Sequence, residues 1–247
     1  MKNKEFIAYG IHPISEALNE GKPIEKVLVQ KGLKGDAGYD VVNGLRKAEV
    51  PIQYVPKAKL DRITGKNHQG MIAFISPIEY QNIEWLLPDL YEKGETPLIL
   101  VLDGVTDVRN FGAICRTAEC AGVHAVVVPT KGSAQIGPDA IKTSAGALLQ
   151  IPICRSMNLT ETLNFLKSSG LRIIACHEKA ELTYTDADLT TPSALVMGSE
   201  ESGIQIENLA TSTDQIRIAL KGRTSSLNVS TATGIILFET LRQRSMS

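Results

Sequence analysis

Apolar residues along this chain follow two regimes, and the change falls near residue 97. Over the first 78 residues, helical spacings and short apolar runs take turns. Helical spacing begins after Pro13 at 14–18 and recurs at 41–48, while runs at 24–30, 52–55 and 71–76 suit strands. This predicts a small α/β unit over residues 1–78. Residues 79–96 hold Trp85, Pro88 and an excess of acid, and read as a linker with a short helix at 83–91. Beyond Pro97 the strands become uniformly apolar. Leu98-Ile99-Leu100-Val101-Leu102 has no polar position, as expected of a parallel strand covered on both faces. Further strands are predicted at 124–128, 171–176, 194–197 and 215–220, and helices at 112–121, 138–149, 159–168 and 229–244. Strands alternating with helices over 97–247 predict an α/β domain with a mostly parallel sheet.

Composition adds bounds. A chain of 247 residues suits one large domain or two modest ones. With 43% hydrophobic and 21% charged residues it is an ordinary globular sequence, and a net charge of −1 demands no nucleic-acid partner. The distribution says more: residues 1–78 hold 12 Lys/Arg against 8 Asp/Glu, and residues 79–95 hold 1 against 5. A basic front end before an acidic joint is compatible with an RNA-facing module, as it is with a plain solvated face. Cysteines 115, 120, 154 and 176 form no C-x-x-C pair and fall in apolar runs, so buried free thiols are expected and no metal site. The N-terminus lacks the apolar stretch of a signal peptide and no window approaches a membrane span, which predicts a cytoplasmic protein.

Two motifs in the front end carry a histidine, Gly10-Ile11-His12-Pro13 and His68-Gln69-Gly70. A structural hydrogen-bonding role is expected for each. Thr64-Gly65-Lys66-Asn67 lacks the earlier Gly and the hydroxyl residue of a phosphate loop.

Three later stretches point to chemistry. Asn110-Phe111-Gly112-Ala113-Ile114-Cys115-Arg116-Thr117 follows a buried strand. Asn110 is placed at the end of the loop and Arg116 one turn inside a half-apolar helix, where a guanidinium calls for an anionic partner. Met197-Gly198-Ser199-Glu200-Glu201-Ser202-Gly203 ends a buried strand in glycine and acid. Ligands of open α/β sheets bind beyond such strand ends. Ser226-Leu227-Asn228-Val229-Ser230 opens the last helix, and its polar residues are good N-caps. No G-x-G-x-x-G follows any strand, which argues against an ordinary dinucleotide fold or the common methyltransferase fold.

In this order and spacing, the three stretches resemble the motifs of the SpoU/TrmH branch of the SPOUT RNA ribose methyltransferases, over about 97–244. The front-end motifs resemble the L30e-like substrate-binding domain found ahead of the catalytic domain in that family. The resemblance implies a C-terminal α/β domain with a deep trefoil knot, S-adenosyl-L-methionine as cofactor, and a homodimer acting on structured RNA. The target it points to is a guanosine of 23S rRNA. A tRNA ribose methyltransferase of the same family and a catalytically silent RNA-binding protein are the alternatives. By the same resemblance, Arg116, Asn110, Glu200, Ser226 and Asn228 are the expected catalytic residues. Gly198, Ile218, Leu227, Met197, Leu220 and Asn228 are expected at the cofactor, held mainly through backbone groups. Glu200 is expected to orient Arg116 or to complement the sulfonium. Arg223-Thr224 departs from the smaller or apolar residues common there.

Overall fold

The computed structural model describes residues 6–246. The chain divides into two compact units, one running to Glu79 and joined by Ile136–Pro138, the other made of Tyr80–Gln135 and the chain from Asp139.

The first unit runs β1 (Ile7–Tyr9), α1 (Ile11–Asn19), β2 (Ile24–Gln30), α2 (Asp36–Lys47), β3 (Ile52–Val55), α3 (Lys57–Ile63) and β4 (Met71–Ile75). Its sheet has the order β1-β4-β2-β3, with β2 and β3 parallel and the other pairs antiparallel. β2 is apolar at successive positions because both of its faces are covered. Val27 and Val29 pack with Ile14, Val41 and Leu45 of the helices on one side, while Leu28 packs with Leu60 of α3 on the other. The two motifs serve this fold, but only one of their histidines does: His12 is exposed and makes no hydrogen bond among the described residues. Gly10 sits at φ 96°, and the Ile11 N–H at the start of α1 donates to Gln69 Oε1 at 3.0 Å. His68 is buried. Its Nδ1 accepts the Gly70 N–H at 3.0 Å, which leaves Nε2 to donate to Asp61 at 2.9 Å.

The second unit begins earlier than the apolar pattern suggested. β5 (Tyr80–Gln81) and α4 (Ile83–Glu92) occupy the stretch read as a linker. β5 pairs with a sheet strand, and Ile83 and Leu87 enter the core. There follow β6 (Leu98–Asp103), α5 (Val108–Cys120), β7 (Ala125–Pro129), α6 (Pro138–Thr143), β8 (Ile153–Ser156), α7 (Leu159–Ser168), β9 (Arg172–Cys176), β10 (Leu182–Thr183), β11 (Ser193–Gly198), α8 (Ile206–Thr211), β12 (Asp214–Arg217) and α9 (Val229–Arg244). The sheet is parallel throughout, in the order β10-β12-β9-β11-β6-β7-β8-β5. β6 is buried at every position.

In the second unit three boundaries differ from the expectation by three residues or more, each for a local reason, while in the first unit α1 and α2 start three and five residues earlier than expected. α5 starts at Val108 because Asp107 caps it, accepting the Arg109 and Asn110 N–H groups at 2.9 and 2.8 Å. The helix expected over 138–149 stops at Thr143. Ala145 and Gly146 take positive φ, and only a short 3-10 turn, Ala147–Leu149, follows. β12 ends at Arg217, so the apolar run at 218–220 leaves the sheet. Among the cysteines, Cys115 and Cys154 are buried, Cys176 is half-buried and Cys120 is exposed. Burial pushes the Cys154 and Cys176 thiols up to about 12.

The last turn of α9 is fastened to the foot of the sheet. The Arg244 guanidinium donates to the carbonyl oxygens of Thr96, Pro97, Leu189 and Thr191 and to Ser193 Oγ, at 2.7 to 3.2 Å. A cation also suits a helix C-terminus. Arg244→Met strips these carbonyls of their donors and is expected to cost about 2–3 kcal/mol. Thermal unfolding should show a Tm lowered by roughly 4–10 °C, and an unchanged Tm would refute this clamp.

Candidate active site

Three segments meet at the carboxyl ends of β9, β11 and β12. The segment after β11 is a tight hairpin, residues 199–203, closed by backbone bonds between Ser199 and Gly203 at 3.0 and 3.1 Å. Ser199 Oγ stiffens it by accepting the Ser202 N–H at 3.0 Å. Gly203 takes φ 67°, which favours glycine. The hairpin carries Glu200 towards the N-termini of α5 and α9.

There Glu200 Oε1 gathers three donors. It accepts Asn228 Nδ2 at 2.5 Å, Asn110 Nδ2 at 3.1 Å and the Val229 N–H at 3.3 Å. Asn228 Nδ2 also donates to Asn110 Oδ1 at 3.0 Å, while Asn228 Oδ1 caps α9 through the Ser230 N–H at 2.9 Å. Two helix N-termini thus face one carboxylate, which is the favourable sign for both dipoles. One residue from each of the three sequence motifs enters this network. Gly112 lets α5 lie close to α6: a Cβ there would stand 2.7 Å from Thr143 Cβ and 3.1 Å from Ala140 O.

Beside the network lies a cavity of about 470 Å³. Met197, Ile216, Ile218, Leu220, Leu227 and Val229 give it an apolar wall. The segment His177–Lys179 and the hairpin residues from Gly198 to Gly203 supply polar groups, and Ser225 and Ser226 close the α9 side. The cavity therefore brings together Gly198, Ile218, Leu227, Met197, Leu220, Glu200 and Ser226. Asn110 and Asn228 stand behind it, joined to Glu200. The run at 218–220, whose apolarity predicted a longer strand, faces this cavity instead of a neighbouring strand.

Arg116 is placed differently from the expectation. It lies more than two turns inside α5, and its side chain is exposed. Among the described residues it has no hydrogen bond or ion pair, so the anionic partner expected for it is not found among them. No contact joins it to Glu200, whose Oε1 is taken up by the two asparagines and the Val229 N–H. The sequence reading also missed the wall at 177–179. Its position directly after β9, at a strand carboxyl end, was the available signal.

Residues 97–238 match the model of the SpoU rRNA methylase family, and residues 7–81 match that of RNA 2′-O ribose methyltransferase substrate binding. The RlmB 23S rRNA (guanosine-2′-O-)-methyltransferase of Photorhabdus laumondii is 41% identical over 97% of this chain and 98% of its own. The AdoMet-bound rRNA methyltransferase of Sinorhizobium meliloti superposes with a TM-score of 0.62 at 26% identity, covering 96% of this chain and 87% of that one. The SpoU methyltransferase AviRb of Streptomyces viridochromogenes, solved with AdoMet, shares the fold at TM-score 0.63 and 22% identity, over 98% of this chain and 91% of that one. Fold and matches together define the class, an RNA 2′-O-ribose methyltransferase in which the match to the substrate-binding model precedes the match to the methylase model. The chain belongs to the SpoU rRNA methylase family. No helix among the described residues is long and apolar enough to cross a membrane.

Proposed function

We propose that this protein methylates the ribose 2′-hydroxyl of a guanosine in 23S rRNA, using S-adenosyl-L-methionine. The observation that carries the reading is the Asn110–Glu200–Asn228 network standing against a cavity of about 470 Å³ at the carboxyl ends of parallel strands. The cavity has the volume of an ordinary small-molecule site. Its apolar wall suits an adenine ring, and its backbone-rich turns at Gly198, Ile218 and Leu227 suit polar recognition through N–H and C=O groups. The residues thus fit the cofactor, with Met197 and Leu220 packing around it. When bound, S-adenosyl-L-methionine supplies an electrophilic methyl group on a cationic sulfur. Glu200 places negative charge at the cavity wall, the complementary sign.

The chain's own residues must bind the ribose and support charge at O2′. A guanidinium stays protonated in proteins, so Arg116 serves as a cation rather than a base. Exposed and unpaired, it is free to take an RNA phosphate and to stabilise the alkoxide that develops at O2′. Asn110 and Asn228 orient the acceptor through amides whose direction Glu200 fixes. Ser226 offers a hydroxyl on the cavity wall. The reading extends to the unit ending at Glu79 as the RNA-binding module, to a trefoil knot in the catalytic unit and to a homodimer. Phe238 and Leu241 on α9, 50% and 40% exposed, are suitable apolar contacts for a second copy.

Mapping ribose methylation across 23S rRNA from a strain lacking this gene tests the assignment. One guanosine should lose its 2′-O-methyl group and regain it when the purified protein and S-adenosyl-L-methionine are added to the unmodified RNA. An unchanged 23S map, with a methyl group missing from a tRNA instead, would overturn the substrate.

A further inference from the structure

Asp103 ends β6 and pairs in register with Gly198 of β11. It is 1% exposed. A buried carboxylate is costly unless hydrogen bonds replace its water. Asp103 Oδ2 has two such donors, the Gln205 N–H at 2.7 Å and Asn208 Nδ2 at 2.9 Å. Oδ1 is buried and has no partner among the described residues. Asn208 is buried as well, and its Oδ1 accepts the Thr160 hydroxyl at 2.7 Å, which fixes the direction of the amide. One carboxylate oxygen thus ties the end of β6 to the start of α8 and, through Asn208, to α7.

The placement matters because of what lies between Gly198 and Gln205. These residues bound the hairpin that carries Glu200 and forms one wall of the cavity. Ser199 and Gly203 close the hairpin on itself, but that pair does not anchor it to the sheet. Its first strand is anchored by β11, through Gly198. Its return strand leads straight to Gln205, whose N–H is held by Asp103. α8 has no side-chain cap of its own, since Gln205 at its N-cap makes none. Asp103 instead accepts the N–H of that N-cap residue, the bond that the carboxylate of a capping box makes from within a helix, and it does so from another strand.

We infer that Asp103 is a positioning residue for methyl transfer: it fixes the foot of the 199–203 hairpin and thereby the place of Glu200 against Asn110 and Asn228. It touches neither cavity nor network directly. The inference rests on the proposed cofactor site and on the role of Glu200 there.

Asp103→Asn keeps the size and one acceptor oxygen but turns two charge-assisted hydrogen bonds into neutral ones. The test uses the full-length protein and measures melting temperature, S-adenosylhomocysteine affinity by calorimetry and single-turnover methylation of 23S rRNA, well below the melting point. Cofactor affinity and turnover should each fall about fivefold to tenfold. Asn208→Ala removes one donor only and should give the same signature in weaker form, which covers the case of an unfolded Asp103→Asn. In the Glu200→Gln background, Asp103→Asn should cost less than twofold further turnover, because both changes act on one hairpin. Two results would mark Asp103 as purely structural, a lowered melting temperature with affinity and turnover unchanged, or turnover losses that multiply with those of Glu200→Gln; either overturns the inference. Wild-type protein that neither binds S-adenosylhomocysteine nor methylates RNA overturns the functional reading beneath it instead.

Discussion

Arg116→Ala should lower single-turnover methylation by roughly 100-fold or more, the scale of losing one donor to a developing oxyanion, while folding and cofactor affinity stay near wild type. The separation follows from where the side chain lies. Arg116 is exposed on α5 and has no partner among the described residues, so truncation removes no internal contact. It is also absent from the cavity wall, so the cofactor should not register the change. Arg116→Lys keeps the charge but loses the planar pair of donors, and should fall between the two. Melting temperature, S-adenosylhomocysteine affinity and single-turnover rate, measured on the same preparations, check this. Near-normal turnover in well-folded Arg116→Ala would move the chemistry away from Arg116, towards Glu200 and Asn228.

Gly198→Ala should all but abolish cofactor binding, for a reason internal to the protein. A Cβ at position 198 would stand 2.2 Å from Gly203 C, 2.3 Å from Ile204 N and 2.6 Å from Gly203 O. All three are backbone atoms, so no rotamer change relieves the clash. The return strand of the hairpin must move, and it takes the cavity wall and Glu200 with it. Gly203→Ala is the control. Nothing lies within 4 Å of a Cβ there, and only the strain of φ 67° remains, a cost of about 1 kcal/mol. Calorimetry with S-adenosylhomocysteine should therefore show a loss of more than 100-fold for Gly198→Ala, the order expected when a preformed wall is displaced, and a loss of at most about tenfold for Gly203→Ala. Equal affinities in the two variants would show that the hairpin tolerates displacement.

The parallel sheet of the second unit was legible because β6, β7, β9 and β11 at its centre are buried and carry apolar runs, whereas β8, Ile-Cys-Arg-Ser, mixes apolar and polar positions and was missed. β5, β10 and β1 were not legible, since two or three residues give no period. α3 and α8 lack side-chain caps and were missed for want of a start signal. The stretch at 80–92 was misplaced by composition. Its acids and its exposed Trp85 outweighed Ile83 and Leu87, the two residues that enter the core. In the candidate site, Asn110, Glu200 and Asn228 stood out singly as loop and cap residues. Their mutual hydrogen bonds were invisible, because pairing across such separations depends on sheet order. The isolated Arg116 defeated the rule that a helix cation seeks an anion, since that rule applies to buried charge. Asp103 passed unnoticed as the first loop residue after an apolar strand, although the strand extends through it.

α9 is fastened at its start by Glu200 and Asn110 and at its end by Arg244. In the sequence it comes after every strand of the parallel sheet. A chain interrupted before residue 228 would keep all the strands of that sheet yet lack Asn228, the α9 dipole at Glu200 and one wall of the cavity. Assembly of the sheet and completion of the site are thus separable events, and the second waits on the docking of α9.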